Sequence, residues 1–266
     1  MFDVHLSLYH YWVTRGLFSR VIKSIGRLIM FFIKWLKKIT FLVFIVGFCF
    51  TCFSSALVLI MRWGEIPVTG IKIERGITGN SNASIRAREM EWKRFNELSE
   101  YMPLAVIASE DQNFFNHNGF DFKQIKKAIA ESKKGKRLRG ASTISQQTVK
   151  NVFLWSGRSF IRKGLEVWFT LLIELFWSKE RILEVYLNVI EFGTGVYGVE
   201  AASAHYFGKS SKYLNVDEAV KLAVVLPNPH KYSVLSPSEY ILDRQAWVRI
   251  QMEQLGSIEY LQEVAR

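Results

Sequence analysis

Thiols are almost missing from this chain: among its 266 residues only Cys49 and Cys52 are cysteines, and both lie inside one apolar run. A disulfide framework and a cysteine-built zinc site are excluded together. Alternating strand-type runs are just as scarce, with a short Ile-Lys-Ile at 71–73 the clearest, so sheet-built classes fall away and a mainly α fold is expected. No second His, Cys or acid stands at ligand spacing from His117, which favours a satisfied core histidine over a metal ligand. Acid is missing from the first 38 residues except Asp3, against Arg15, Arg20, Lys23, Arg27, Lys34, Lys37 and Lys38. Internal repeats and low-complexity tracts are absent as well.

What is present begins with residues 39–61, an uncharged and mostly apolar run of the length a helix needs to cross a bilayer. A cleaved signal peptide has a shorter apolar region that starts nearer the first residue, so an uncleaved signal anchor fits better. The cations before it place the N-terminus in the cytoplasm and the rest of the chain across the membrane. Residues 27–38 resemble a helix lying along the inner surface before the chain turns in. The expected organisation is a cytoplasmic basic segment at 1–38, a transmembrane anchor at 39–61, a linker at 62–98 and one domain at 99–266. The net charge of +11 favours anionic partners, and placement outside the cytoplasm disfavours nucleic acid.

Within the domain the pattern is helical from Pro103 onward, with breaks at Gly, Asn and Pro. Ser142 or Thr143, Ser178 and Asn215 are expected helix caps, and Ser236-Pro237 an expected helix start. The densest chemistry lies between Glu110 and Asn151. Glu110 follows the small apolar run 104–108, so it leaves packed surroundings partly desolvated and beside the like charge of Asp111. Both effects raise a carboxyl pKa toward that of a useful base. Beyond the cationic loop of Lys136, Arg137 and Arg139, the residues Thr143, Gln146 and Lys150 share a helix face with Gln147 at its border. Such a face suits a polyhydroxylated or pyrophosphorylated ligand. Glu166 stands after Arg162 and Lys163, the spacing of an ordinary helix ion pair.

Four motifs occur in order: Glu-Asp-x-x-Phe-x-x-His-x-Gly from Glu110 to Gly119, Gly-x-Ser-Thr-x-x-Gln-Gln-x-x-Lys-Asn from Gly140 to Asn151, Arg-Lys-x-x-Glu from Arg162 to Glu166, and Ile-Leu-Glu-Val-Tyr-Leu-Asn at 182–188. Together they resemble the peptidoglycan glycosyltransferase family (glycosyltransferase family 51), over about Leu104 to Pro229. The region after Pro227 resembles its monofunctional, membrane-anchored branch. The Ser-x-x-Lys and Lys-Thr-Gly signatures of the bifunctional, penicillin-binding branch do not occur. One departure is Ala141, where the family commonly has a second glycine.

The resemblance implies a lysozyme-like, mainly helical glycosyltransferase domain behind a single N-terminal transmembrane helix, in a bacterial cytoplasmic (inner) membrane with the domain on the periplasmic face. It implies polymerisation of lipid II onto a growing glycan strand, in the company of cell-wall synthesis or division proteins. Glu110 would be the general base and Glu166 the second catalytic acid. Asp111, Phe114, Ser142, Thr143, Gln146, Gln147, Lys150, Asn151, Arg158 and Lys163 would bind substrate, with Lys150, Arg158 and Lys163 neutralising the pyrophosphate. No cofactor is certain; a divalent cation, Mg or Mn, is the open alternative. Apolar stretches near 153–155 and 168–177 would dip into the bilayer. A lytic glycosidase of lysozyme type is the nearest rival, and a membrane-tethered scaffold the rival from another class.

Overall fold

In a computed structural model, the backbone is described for residues 2–66, 91–134, 142–155, 157, 159–256 and 263, and side chains from residue 28 onward. The Ile-Lys-Ile run, most of the linker, the cationic loop and Arg158 lie outside the described residues.

The first unit, residues 1–56, is one element. Helix α1 runs without interruption from Phe2 to Ile60, so the expected turn ahead of residue 39 is not there. No proline occurs before Pro67, and the intrahelical hydrogen bonds have nothing to break them. Its stretch Leu28–Ile60 is long and apolar enough to cross a membrane. Phe41, Leu42, Val43, Phe44 and Phe53 all point outward, as a helix that is apolar all round requires when its solvent is lipid. The hydroxyls within it find partners in its own backbone: Thr40 donates to the Leu36 carbonyl, Thr51 to that of Gly47 and Ser54 to that of Phe50.

The second unit, residues 57–266, is built around α2 (Tyr101–Glu110), which is buried from Met102 to Ser109. Ala, Val, Ile and Leu on every side of a short helix leave no solvated face, so other elements must wrap it. Helices α8 (Val216–Ala223) and α9 (Glu239–Leu255) pack against it. A second layer consists of α4 (Ile144–Phe153), packed on both α5 (Phe160–Phe176) and α6 (Lys179–Val189). α3 (Phe122–Lys133) and α7 (Val199–Phe207) complete the set. The only sheet among the described residues is a small antiparallel hairpin, β1 (Glu191–Gly193) with β2 (Val196–Tyr197).

Caps decide where these helices begin. Thr143 accepts from the Gln146 amide, Ser178 from Arg181 and Asn215 from Glu218, each quieting an amide that lacks an intrahelical partner. α9 starts two residues later than Ser236-Pro237 implies, with Ser238 at its cap position. The last turn of α1 and residues 61–66 belong to the second unit, where Trp177 donates to the Val58 carbonyl at 2.8 Å and Arg181 to that of Met61 at 2.7 Å. Glu184 pairs with Arg181 and also accepts from Trp92 and the Phe95 amide, tying the end of the linker to α6.

Gly198 joins β2 to α7 at φ +83°, and a Cβ there would stand 2.7 Å from the Asn188 carbonyl oxygen. Gly198→Ala meets both a left-handed backbone and a collision with main chain. It is expected to lower stability by about 3 kcal/mol and Tm by roughly 6–12 °C in thermal unfolding; an unchanged Tm would refute the contact.

Candidate active site

Glu110 is the last residue of α2, delivered to the edge of the core by the helix that the other elements enclose. A cleft of about 170 Å³ opens beside it, with Ser142 and Thr143 on its border and Gln124, Lys127 and Trp247 among its other walls. The carboxylate is held from two sides: Gln147 Nε2 donates to Oε2 at 3.0 Å, and the Ser109 hydroxyl makes a long contact of 3.4 Å with Oε1. Burial pushes its pKa up, and the charge of Asp111 adds to this. Gln147, the Arg244 guanidinium and Ser109 act in the opposite direction. Desolvation is the largest of these influences, so the group is a better proton acceptor than a solvated glutamate.

Asp111 also borders the cleft, but its carboxylate is engaged by the frame. Its Oδ2 accepts from the Ile144 amide at 3.0 Å, and both of its oxygens lie 3.0 Å from His117 Nε2. His117 Nδ1 accepts from the Gly119 amide at 3.1 Å, which leaves the proton on Nε2 and both ring nitrogens engaged. Lys179 donates to the His117 carbonyl and Glu174, sits 4.5 Å above the Phe114 ring, and Glu174 also takes the Ser145 hydroxyl. This network fastens the 111–119 loop to α4, α5 and α6.

The residues expected to bind substrate divide accordingly. Ser142 is exposed at the cleft, and Gln147 faces Glu110. Lys150 is exposed on α4, while Asn151 is buried and donates to the Gln147 carbonyl at 2.8 Å. Thr143 and Gln146 are buried in a reciprocal capping box, and the Thr143 hydroxyl donates to the Gly119 carbonyl at 2.7 Å. Phe114 is completely buried. Asp111, Phe114 and Gln146 are thus parts of the frame, because helix capping and core packing use the groups that a ligand would need.

Glu166 heads a separate group on α5. Although it is buried, Lys163 pairs with it and Arg162 stands 3.6 Å from its Oε2, as the helix spacing implies. Nε and Nη1 of Arg162 have no hydrogen-bond partner among the described residues. Among the described residues no hydrogen bond or ion pair joins this group to Glu110. A divalent ion does not fit here: two cations already occupy Glu166, and no cluster of three or more His, Cys, Asp or Glu occurs among the described residues.

Three side chains at the site were not singled out by sequence. Arg244 of α9 donates to the Ser109 carbonyl at 2.8 Å and stacks 4.2 Å from Trp247, which walls the cleft. Tyr186 of α6 donates to Gln147 Oε1 at 3.1 Å. A lone cation or aromatic on an amphipathic helix carries no periodic signal, although Tyr186 does sit within the fourth motif.

A family model described as Transglycosylase matches residues 78–253, which takes in Glu110, Glu166 and α9 as far as Glu253. The chain belongs to the transglycosylase family. Similar proteins named biosynthetic peptidoglycan transglycosylase come from Shewanella oneidensis, 50% identical over 84% of this chain and 92% of its own length, and from Ectopseudomonas mendocina, 51% identical over 79% and 87%. A third, from Chromohalobacter salexigens, is 50% identical over 86% of this chain and 97% of its own. The match covers the described residues from 91 to 253, and these are mainly helical.

Proposed function

We infer that the chain is a peptidoglycan glycosyltransferase of cell-wall synthesis, which polymerises lipid II into β-1,4-linked glycan strands and releases undecaprenyl pyrophosphate. The observation that carries this reading is Glu110 itself, a desolvated carboxylate at a cleft, oriented by Gln147, in a chain of this family. Glu110 takes the proton from the 4-hydroxyl of the acceptor's N-acetylglucosamine. The freed oxygen pair forms the bond to the anomeric carbon of the growing chain's muramyl unit. The bond from that carbon to the pyrophosphate oxygen breaks, with inversion, and its electron pair leaves with the lipid pyrophosphate.

Charge gathered on the pyrophosphate calls for fixed cations. Lys150 and Lys163 are both exposed and can reach a ligand; the resemblance adds Arg158 to them. Glu166 then holds Lys163 and Arg162 in place instead of touching the sugar. Ser142 and Gln147 position the reacting sugars, while Asn151, Thr143 and Asp111 fix the helix that carries Gln147 and Lys150.

The apolar span of α1 supports anchoring in a cytoplasmic (inner) membrane, and the N-terminal cations support a periplasmic domain. α5 adds a second membrane contact. Phe160, Ile161, Val167, Leu171 and Leu175 form an outward apolar row along it, opposite the face that buries Glu166, Phe169 and Ile173. Water gains nothing from such a row, and an interfacial lipid layer does.

The test is incubation of the purified full chain with labelled lipid II, followed by muramidase. Polymer that muramidase reduces to its repeat unit is the expected result. Release of soluble fragments from finished peptidoglycan, without polymer, would replace this reading by the lytic one.

A further inference from the structure

The fourth motif places Tyr186 where the mechanism has so far given it no part. Its ring is fully buried in α6, and its hydroxyl lies 3.1 Å from Gln147 Oε1, while the other end of that amide, Nε2, lies 3.0 Å from Glu110 Oε2. A side-chain amide can turn either end toward a carboxylate, and what faces its far end decides which. Burial, with the charges of Glu110 and Asp111, pushes the phenol well above its ordinary pKa, so the hydroxyl keeps its proton and stays a donor. A permanent donor at Oε1 turns the amide's N–H toward Glu110.

We propose that Tyr186 is a positioning residue for the base: acting through the Gln147 amide, and without touching substrate, it keeps Glu110 in its proton-accepting arrangement. Once Glu110 has taken the acceptor's proton, the same hydroxyl serves the reverse arrangement. The amide rotates, Oε1 accepts from the new carboxyl O–H, and Nε2 donates to the lone pairs of the tyrosine oxygen. No bond is made or broken at Tyr186. The inference rests on the glycosyltransferase reading above.

Four full-length proteins test it with labelled lipid II: wild type, Tyr186→Phe, Gln147→Ala and the double variant. Tyr186→Phe is expected to lower kcat about tenfold with KM unchanged within about twofold, since one buried hydrogen bond to the machinery is lost. The acid limb of its kcat/KM profile should move to higher pH, because Glu110 loses a donor that favours its charged form. In the Gln147→Ala background the tyrosine change should add nothing, whereas a merely structural tyrosine would multiply its effect. Incorporation of 3-fluorotyrosine at position 186 keeps the ring and sharpens the donor, and should move the acid limb to lower pH. It carries the test if Tyr186→Phe fails to fold. An acid limb that neither change moves, or multiplying effects in the double variant, would overturn the proposal while wild type still polymerises. Absence of polymer from wild type itself would overturn the underlying reading as well.

Discussion

Glu110→Gln is expected to reduce polymerisation by about a thousandfold or more while the fold survives. An amide of the same shape can still accept from Gln147, but it cannot take a proton, and positioned proton transfer supplies roughly a hundred- to ten-thousandfold in rate. The same substitution should raise stability at neutral pH. Glu110 has a folded pKa above its ordinary value because burial penalises its charge. Between the unfolded and folded pKa values the native state holds more protons than the unfolded one, so stability falls as pH rises through that window. Below the unfolded value, about 4.3, wild type and variant should melt alike. Above the folded value the variant should melt higher by a constant margin. Full activity in Glu110→Gln would remove the base assignment; a variant that melts lower at neutral pH would show that the carboxylate is not desolvated.

The second large effect is expected at Asp111, and on stability before chemistry. Asp111→Ala leaves the Ile144 amide and His117 Nε2–H buried without an acceptor. Two such losses together cost about 4 kcal/mol, or roughly 8–16 °C in Tm for a domain of this size. Activity would fall with it, because α4 carries Gln147 and Lys150. Asp111→Asn keeps the shape and one acceptor and should lose about half as much. Equal melting of Asp111→Ala and wild type, with only KM raised, would instead make Asp111 a substrate contact.

That contrast marks where sequence is legible and where it is not. Short-range rules act over three or four residues, so the caps at Thr143, Ser178 and Asn215 and the apolar run of α1 can be read directly from the chain. The desolvation of Glu110 was also legible, since an apolar run leading into an acid implies it. Asp111 illustrates the limit. Adjacent acids in a motif look alike on paper, and only the distant Ile144 amide, 33 residues away, shows that one of them is tied into the frame. Gln146 and Gln147 divide in the same way, one turned back onto its own cap and its neighbour reaching across to Glu110 and Tyr186. Sequence supplies the donors and acceptors, but their pairing is a property of how α2, α4 and α6 meet.

The membrane contact proposed for the outward row on α5 would change what concentration means for this enzyme. A domain resting on the bilayer meets a lipid-linked substrate by lateral diffusion, in a layer a few nanometres thick, so encounters follow an effective local concentration far above the bulk one. Turnover is then governed by the mole fraction of substrate among the surrounding lipids. Diluting the substrate with inert lipid slows the enzyme, and diluting the whole suspension with buffer does not.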